Sequence, residues 1–393
     1  MIIGIVGKAN TGKSTFFKAL TLAEVAIAPY PFTTLEKNEG IGFVKTDCVE
    51  REFKVKCNPK YGYCIEGKRF VPAKLIDVAG LVPGAHKGKG RGNEFLDDLR
   101  EADVLINILD ASGLTDEQGK PTRDYDVCFD VKFLQDEIDL WLYSIIGKNW
   151  KQFVRKMQEG KKLSKELARQ LSGLKINEEM IKEAMRKLNL SERATEWSDI
   201  QLLEFVRLIR SLSKPIIIAA NKVDLPSAQA NIEKLRKEFP NMLIIPCSAE
   251  SELALREAAK SNLIGYIPGG KSFTASNKLS REQSSALEFI KKNVLEKYGS
   301  TGVQDALNAA VFSFLRYIVA YPVENENHLS DKDGNVLPDA FLMPPNSKAI
   351  DLAFAIHTDI GNNFIAAIDA RSKRRLARDY ILKDKDVIRI MTR

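Results

Sequence analysis

The chain has 393 residues, 44% of them hydrophobic, with 59 Lys and Arg against 52 Asp and Glu and a net charge of +7. That length supports two or three domains with sizeable cores, and no run is apolar enough to predict a membrane-spanning helix. The mild positive charge permits a nucleic-acid partner without requiring one.

Met1–Val6 (MIIGIV) reads as a short buried strand and Ser14–Leu20 (STFFKAL) as the opening of a helix. Because the strand begins at the first residue, no signal peptide is expected and the expected location is the cytoplasm. Between them, GKANTGKS at Gly7–Ser14 fits the phosphate-loop pattern G-x-x-x-x-G-K-[ST] in the strand–loop–helix context it needs. Gly7 and Gly12 allow the backbone to wrap a phosphate chain, so that successive N–H groups and the positive end of the helix face the anion. Lys13 is expected to bridge the β- and γ-phosphates and the Ser14 hydroxyl to ligate magnesium, with Asn10, Thr11 and Thr15 completing the loop.

YPFTT at Tyr30–Thr34 lies where a γ-phosphate-sensing threonine is needed. Thr34 is the expected magnesium ligand and Thr33 the alternative. The five cysteines (48, 57, 64, 128 and 247) form no C-x-x-C pair. Cys57 and Cys64 flank NPKYGY and, with Cys48, only weakly match a metal site, no histidine being near; reduced thiols are the expectation.

The strand Ala73–Ile76 ends in DVAG (Asp77–Gly80), where Asp77 is expected to hold magnesium through water and the Gly80 N–H to reach the γ-phosphate. The following LVPGAHKGKGRGNEF carries Gly84, Gly88, Gly90 and Gly92 and suits an order–disorder switch. Leu81 stands where many small GTPases use glutamine to orient the attacking water, which leucine cannot do. Hydrolysis is then slow alone, or another group supplies the function. Asn10 stands where an asparagine can help hold potassium near the phosphates; the alternative is that it only shapes the loop. His86 could approach the γ-phosphate, although a lone loop histidine is usually solvated.

Ile106–Asp110 (INILD) is the next strand. From Val131 the chain turns helical, with Leu134, Ile138, Leu142 and Ile145 forming the stripe of a packed amphipathic helix. This reads as a helical insertion whose Lys148–Lys187 stretch carries an excess of basic residues, either a solvated face or an RNA-binding arm. After the strand Pro215–Ala220 comes NKVD (Asn221–Asp224). Asp224 can accept from both N1 and N2 of guanine, whereas adenine lacks that donor pair. A site built on such a pair rejects the analogue lacking it by roughly four orders of magnitude. The Lys222 stem is expected over the base, with Asn221 tying this loop to the phosphate loop. Ser248 and Ala249 of CSAE, after the strand Met242–Pro246, are expected to close over guanine O6.

Arg281–Lys297 is a further helix. The strands Tyr317–Val323, Phe364–Asp369 and Val387–Thr392, around a helix Lys348–His357 that Ser347 could cap, make an α+β unit of β-grasp kind. Its loop Arg371–Arg378 (RSKRRLAR) offers Arg371, Lys373, Arg374, Arg375 and Arg378 as the expected RNA-backbone contacts, a solvated turn being the alternative.

These motifs resemble the Obg–YchF group of translation-associated GTPases over nearly the whole chain. The resemblance rests on the phosphate loop with Asn10, YPFTT, the long string DVAGLVPGAHKGKGRGNEFLDDLREAD, the helical insertion and a C-terminal unit similar to the TGS domain. The Asp77–Asp103 string points to the YchF branch; the developmentally regulated GTP-binding proteins share GKGRG and a TGS domain and are the runner-up. The resemblance implies a hydrophobic residue at the catalytic-glutamine place, matched by Leu81, and ribosome association through basic domains. Bacterial and eukaryotic members of this branch carry NxxE at the base-reading loop and are linked to ATP, so NKVD departs from them toward GTP. Lys8 and Ala9 also replace the usual proline-containing pair before Asn10.

The expected architecture is α/β: a doubly wound P-loop NTPase domain at 1–275 with a helical insertion at about 131–213, a helical connector at 276–314 and a TGS-like domain at 315–393. The expected function is a magnesium-dependent GTPase, with potassium as a further candidate cofactor, switching between GTP and GDP on ribosomes or rRNA. Lys13, Thr34 and Gly80 are the expected catalytic groups. A monomer with no membrane partner is expected. The alternatives are a GTP-binding regulatory module with negligible turnover, a GTPase like the developmentally regulated proteins, and a tRNA-linked enzyme, for which no synthetase motif is visible.

Overall fold

The structure is a computed structural model and describes residues 1–22, 38–78, 92–158 and 162–393. The expectations at Thr33, Thr34, Gly80, Leu81, His86, Gly84, Gly88 and Gly90 lie outside the described residues.

In chain order the first elements are β1 (Ile2–Val6), α1 (Lys13–Thr21), β2 (Glu39–Asp47), a single-turn α2 (Glu50–Phe53), β3 (Tyr63–Ile65), β4 (Lys68–Asp77), α3 (Gly92–Glu101) and β5 (Val104–Asp110). Four helices follow, α4 (Cys128–Gln158), α5 (Leu163–Leu171), α6 (Glu178–Lys187) and α7 (Asp199–Ser213). Then come β6 (Ile216–Asn221), α8 (Ala228–Glu238), β7 (Ile244–Pro246), α9 (Ala249–Lys260), β8 (Ile264–Tyr266), β9 (Phe273–Ala275), α10 (Arg281–Ile290), α11 (Glu296–Tyr298) and α12 (Val303–Asn308). The chain closes with β10 (Ile318–Val323), β11 (Phe341–Met343), α13 (Ala349–Ile356), α14 (Thr358–Asn362), β12 (Phe364–Asp369), β13 (Arg375–Leu376) and β14 (Asp386–Thr392). It folds into two compact units, one of residues 1–17, 75–251 and 289–302, the other of 18–74, 252–288 and 303–393.

In the first unit, β1 pairs parallel with β5 (Ile3 beside Val104), β5 with β6 (Leu105 beside Ile216) and β6 with β7 (Ile218 beside Ile244). The carboxyl end of β4 lies on the other side of β1. Parallel strands are covered on both faces, which is why β5 and β6 are mostly apolar, Asn107 apart, up to their polar carboxyl ends and are buried along their whole lengths. β4 and β5 flank β1 on opposite sides, which makes the carboxyl end of β1 a switch point of the kind where open α/β sheets bind ligands.

The helical segment α4–α7 packs on this unit through one stripe of each helix. Leu134, Ile138, Trp141, Leu142 and Ile146 of α4 meet Leu163, Leu167 and Leu171 of α5, Ile181 and Ala184 of α6, and Phe205, Val206 and Ile209 of α7. Ile146 is fully buried and Ile145 only partly, so the stripe expected from the sequence turns by one residue at its end. Trp141 widens it there. Asn177 caps α6 by accepting from the Met180 N–H (2.9 Å), and Ser198 with Gln201 forms a capping box on α7.

The second unit contains the hairpin β3–β4 (Cys64 opposite Arg69) and a sheet ordered β11-β10-β14-β12-β13. In this sheet β10 and β14 are parallel, β12 and β14 antiparallel, and α13 packs Ala349 and Leu352 against Met343, Ala367 and Ile388. This is a β-grasp arrangement. Lys348 rather than Ser347 is the N-cap of α13, and the Asp351 carboxylate accepts from the Lys348 N–H (2.7 Å). The helix expected at 281–297 is interrupted by a π-helical turn at Lys291–Leu295.

Phe205 has no exposed surface and touches Trp197 edge-on, ring centroids 5.0 Å apart. Phe205→Ala should cost about 3–5 kcal/mol of unfolding free energy, measured by urea denaturation.

Candidate functional site

The phosphate loop, the end of β4, the NKVD loop and the CSAE loop leave the carboxyl edge of the first unit's sheet, where short turns bring their side chains together. Gly12 has φ 89°, and a Cβ there would stand 2.4 Å from the Asn221 amide nitrogen. A Cβ on Gly7 would stand 2.5 Å from the Ile108 carbonyl oxygen. Only glycine lets the phosphate loop pass so close to β5 and to the base-reading loop. The Phe16 N–H donates to the Gly12 carbonyl (2.9 Å), so α1 starts inside the motif and puts Ser14 exposed and Thr15 half-buried on its first turn.

Lys13 reaches across to the end of β4. Its ammonium donates to the Asp77 carboxylate at 2.5 Å and to the Val78 carbonyl at 2.7 Å. The residue expected to bridge phosphates and the carboxylate expected to hold magnesium thus meet, with Ser14 on the same edge.

Asn221 is the hub of the base-reading side. Its carboxamide donates to the Thr11 carbonyl (2.8 Å) and accepts from the Ala249 N–H (2.9 Å). Lys222, at φ 67°, donates to the Asn10 carbonyl and pairs with Asp110, both at 2.8 Å. The Ser248 hydroxyl donates to Asp224 at 2.8 Å, and the Ser248 N–H donates to the Thr301 carbonyl at 2.9 Å. Asn221, Lys222, Asp224, Ser248 and Ala249 therefore converge with Asn10 and Thr11.

Two buried charges without an assigned role in the sequence reading, Asp110 and Lys8, hold these loops. Asp110 ends β5 almost fully buried and accepts from Lys222, from the Ser112 N–H and hydroxyl and from the Thr115 hydroxyl. Burial pushes its carboxyl up, but these donors outweigh it and hold it below the ordinary carboxylate range. Lys8, also buried, donates to the Thr115 carbonyl (3.0 Å), pairs with Asp130 (2.8 Å) and lies 4.0 Å over the Tyr125 ring. Burial raises Asp130, partly offset by Lys8 and the Tyr125 hydroxyl. The signal for both was a charged residue directly against an apolar strand. Asn10, at φ 62°, donates its amide to the Gly119 carbonyl (2.9 Å), so the loop after β5 also bears on the phosphate loop.

Of the basic residues near the C-terminus, Arg371 is engaged in a bidentate pair with Glu52 (2.6 and 2.8 Å) and lies over the Phe53 ring. Lys373 donates to the Glu326 carbonyl. Arg374, Arg375 and Arg378 are exposed. In the helical segment, Lys182 and Lys187 pair with Glu178 and Glu183 one turn earlier, and Lys175 with Asp103, so part of its basic excess is locally offset.

Because Asp110 is depressed when folded, its contribution to stability is present above its unfolded value near ~3.9 and is lost as pH falls through the lower folded value. Asp110→Asn should lower the urea midpoint at neutral pH, about 1–3 kcal/mol being expected for weakening the hydrogen bonds that a buried carboxylate accepts. The gap from the unsubstituted protein should narrow below roughly pH 4. An equal gap at both pH values would contradict the assigned ionisation.

The comparisons with known proteins agree with this geometry. Residues 2–133 match the family described as 50S ribosome-binding GTPase, residues 219–325 the Obg-like GTPase YGR210-like, G4 motif-containing domain, and residues 332–392 the TGS domain. A GTP-binding protein of Methanocaldococcus jannaschii is 50% identical over 391 residues, covering 100% of this chain and 99% of that one. The ribosome-binding ATPase YchF of Bacillus subtilis is 30% identical over 273 residues, covering 66% and 69%. The crystal structure of a GTP-binding protein from Pyrococcus horikoshii OT3 is 41% identical with a TM-score of 0.78 over 100% of both chains. The chain belongs to the Obg-like P-loop GTPases that carry a C-terminal TGS domain, the family that includes YchF.

Proposed function

We propose that this protein is a magnesium-dependent GTP hydrolase that acts as a nucleotide-controlled switch on ribosomes or rRNA. The observation that carries the choice of base is Asp224, whose carboxylate is oriented by the Ser248 hydroxyl at 2.8 Å. Asn221 holds that loop against its neighbours. A carboxylate so held accepts from N1 and N2 of guanine and has no matching donor pair in adenine. Lys222 lays its stem beside the base, and the Ala249 end of the next loop lies toward O6.

The donor set fits magnesium: the Asp77 carboxylate and the Ser14 hydroxyl are hard oxygen ligands, with Thr34 the proposed third. When bound, magnesium neutralises charge on the β- and γ-phosphate oxygens. Lys13, already directed at the end of β4, turns to the same phosphates, and the loop amides from Gly7 to Thr15 hold the chain for in-line attack. Thr34 and Gly80 sense the γ-phosphate and release the switch segments after hydrolysis. With its amide nitrogen on the Gly119 carbonyl, Asn10 can turn its oxygen to a potassium ion. Turnover in potassium exceeding that in sodium supports this role, and equal rates would remove it.

Ribosome binding is supported by the name of the Bacillus subtilis relative and by the exposure of Arg374, Arg375 and Arg378. In this reading those arginines contact phosphates, while Arg371 and Lys373 hold their loop in place. Residues 1–275 and 315–393 act as the nucleotide and partner-reading domains. Leu81 favours a second reading, a GTP-binding regulatory module with negligible turnover.

Competition binding should give GTP a clear advantage over ATP, and Asp224→Asn should cut GTP affinity by about 100-fold or more. Tighter binding of ATP to the unsubstituted protein would overturn the base assignment. In co-sedimentation with ribosomes, the GTP and non-hydrolysable analogue states should bind differently from GDP. Replacing Arg374, Arg375 and Arg378 with alanine should flatten the salt dependence by about 0.7–0.9 log units per lost phosphate contact. Identical ribosome binding in all nucleotide states, with turnover unstimulated, would favour the regulatory module.

A further inference from the structure

Away from the nucleotide site, three cysteines and a glutamate from separate segments converge within the second unit. Cys48 follows β2, Glu50 is the first residue of α2, Cys57 lies in the loop beyond it, and Cys64 is on β3. Their ligand atoms all lie within 4.8 Å of one another. Cys48 Sγ is 3.8 Å from Cys57 Sγ, and Cys64 Sγ is 3.6 Å from Glu50 Oε1. We propose that Cys48, Glu50, Cys57 and Cys64 form a tetrahedral structural site for a divalent cation of the zinc class.

The spacing favours a metal over the other roles of a thiol cluster. Four ligands at about 2.3 Å (sulfur) and 2.0–2.2 Å (oxygen) from a tetrahedral ion stand about 3.8 Å apart between sulfurs and about 3.5 Å between sulfur and oxygen. The Cys48–Cys57 and Cys64–Glu50 separations match these edges, and the remaining ligand pairs lie within 4.8 Å. A disulfide needs sulfurs at about 2.05 Å, and all five cysteines are free thiols. Three soft thiolates with one carboxylate select zinc over magnesium or calcium. Because the protein fills all four positions, the site is of the closed, structural kind, with none open for a reacting water.

The surroundings supply a second, independent indication. Arg69, directly across the hairpin from Cys64, is fully buried, and its hydrogen bonds go to the carbonyls of Tyr61, Leu337 and Pro338. A divalent ion held by three thiolates and a carboxylate carries two net negative charges, which would add to the Asp339 carboxylate as counter-charge for that cation. The Glu50 carboxylate is also fixed in place, accepting from the Cys57 N–H at 2.9 Å, and the Cys48 N–H donates to the Gly67 carbonyl at 2.9 Å. Such outer bonds orient ligands in metal sites.

The segment has reason to need a clasp. Between β2 and β3 it has only the single turn α2, too short to be stable alone. Yet Glu52 and Phe53 in that turn are what Arg371 binds. Metal binding would release the thiol protons, join three segments through one ion and stiffen the platform under the basic C-terminal loop.

The test uses the full-length protein, stripped with a chelator under reducing conditions and titrated with cobalt and then zinc. Expected are one ion per chain by elemental analysis, an intense tetrahedral cobalt spectrum with thiolate-to-metal charge-transfer bands, and displacement of cobalt by zinc. Cys57→Ser and Cys64→Ser should each weaken the charge-transfer bands and lower affinity beyond the roughly 10–100-fold typical of lost outer partners, and Cys128→Ser should do neither. If the serine variants are insoluble, alkylation of the unsubstituted protein read by mass spectrometry decides. Zinc should protect Cys48, Cys57 and Cys64 and leave the rates at Cys128 and Cys247 unchanged. Absence of charge-transfer bands, equal alkylation with and without zinc, or a disulfide within the trio in the freshly purified protein would overturn the proposal.

Discussion

The Asn221 carboxamide donates to the Thr11 carbonyl and accepts from the Ala249 N–H, and the rest of the carboxyl edge is registered on that pair of bonds. A planar amide with a donor on one side and an acceptor on the other sets both the separation and the tilt of the loops it joins. The phosphate loop approaches so closely that Gly12 can carry no Cβ. Lys222 then falls within reach of Asn10 and Asp110, and Asp224 within reach of Ser248. Displacement of this one side chain would loosen three loops at once, although none of them would lose its own strand or helix.

The buried charges have a different task from the buried apolar side chains. The sheet and the α4–α7 helices are held by area removed from water, a non-directional force that does not say where a loop must lie. Asp110 with Lys222 and Lys8 with Asp130 are directional, and each spans a loop that apolar packing leaves undetermined. Such pairs add little net stability because desolvation offsets attraction, but removing one partner is costly. Their value here is register: they hold the loop after β5 against the phosphate loop, where Asn10 also meets Gly119. In the second unit, Arg371 with Glu52 performs the same service for the basic loop.

Much of the fold was legible because its signals are local. Buried parallel strands write themselves as apolar runs, and glycine, lysine and serine at fixed offsets mark a phosphate loop wherever strand and helix flank them. The helical stripe of α4 was readable to within one residue at Ile145 and Ile146. Less legible were features made by residues distant in sequence. Lys8 looked like a departure from a pattern until Asp130 and Tyr125 were seen around it. Arg371 looked like a phosphate contact until Glu52 was found across from it. Glu50 carried no signal at all, since only the hairpin β3–β4 brings Cys64 to it.

The sequence by itself determined which short strings carry nucleotide-site motifs, because residue type and spacing are local properties that need no tertiary contact to be read. It also determined the family and the presence of a β-grasp unit, through strand and helix periodicity. Tertiary structure alone decided which charges are free to meet a partner and which are consumed inside the fold. It alone decided that three thiols and a carboxylate share one point. The reason is physical: local spacing fixes what a segment can form, whereas pairing across long loops depends on where packing sets the segments down.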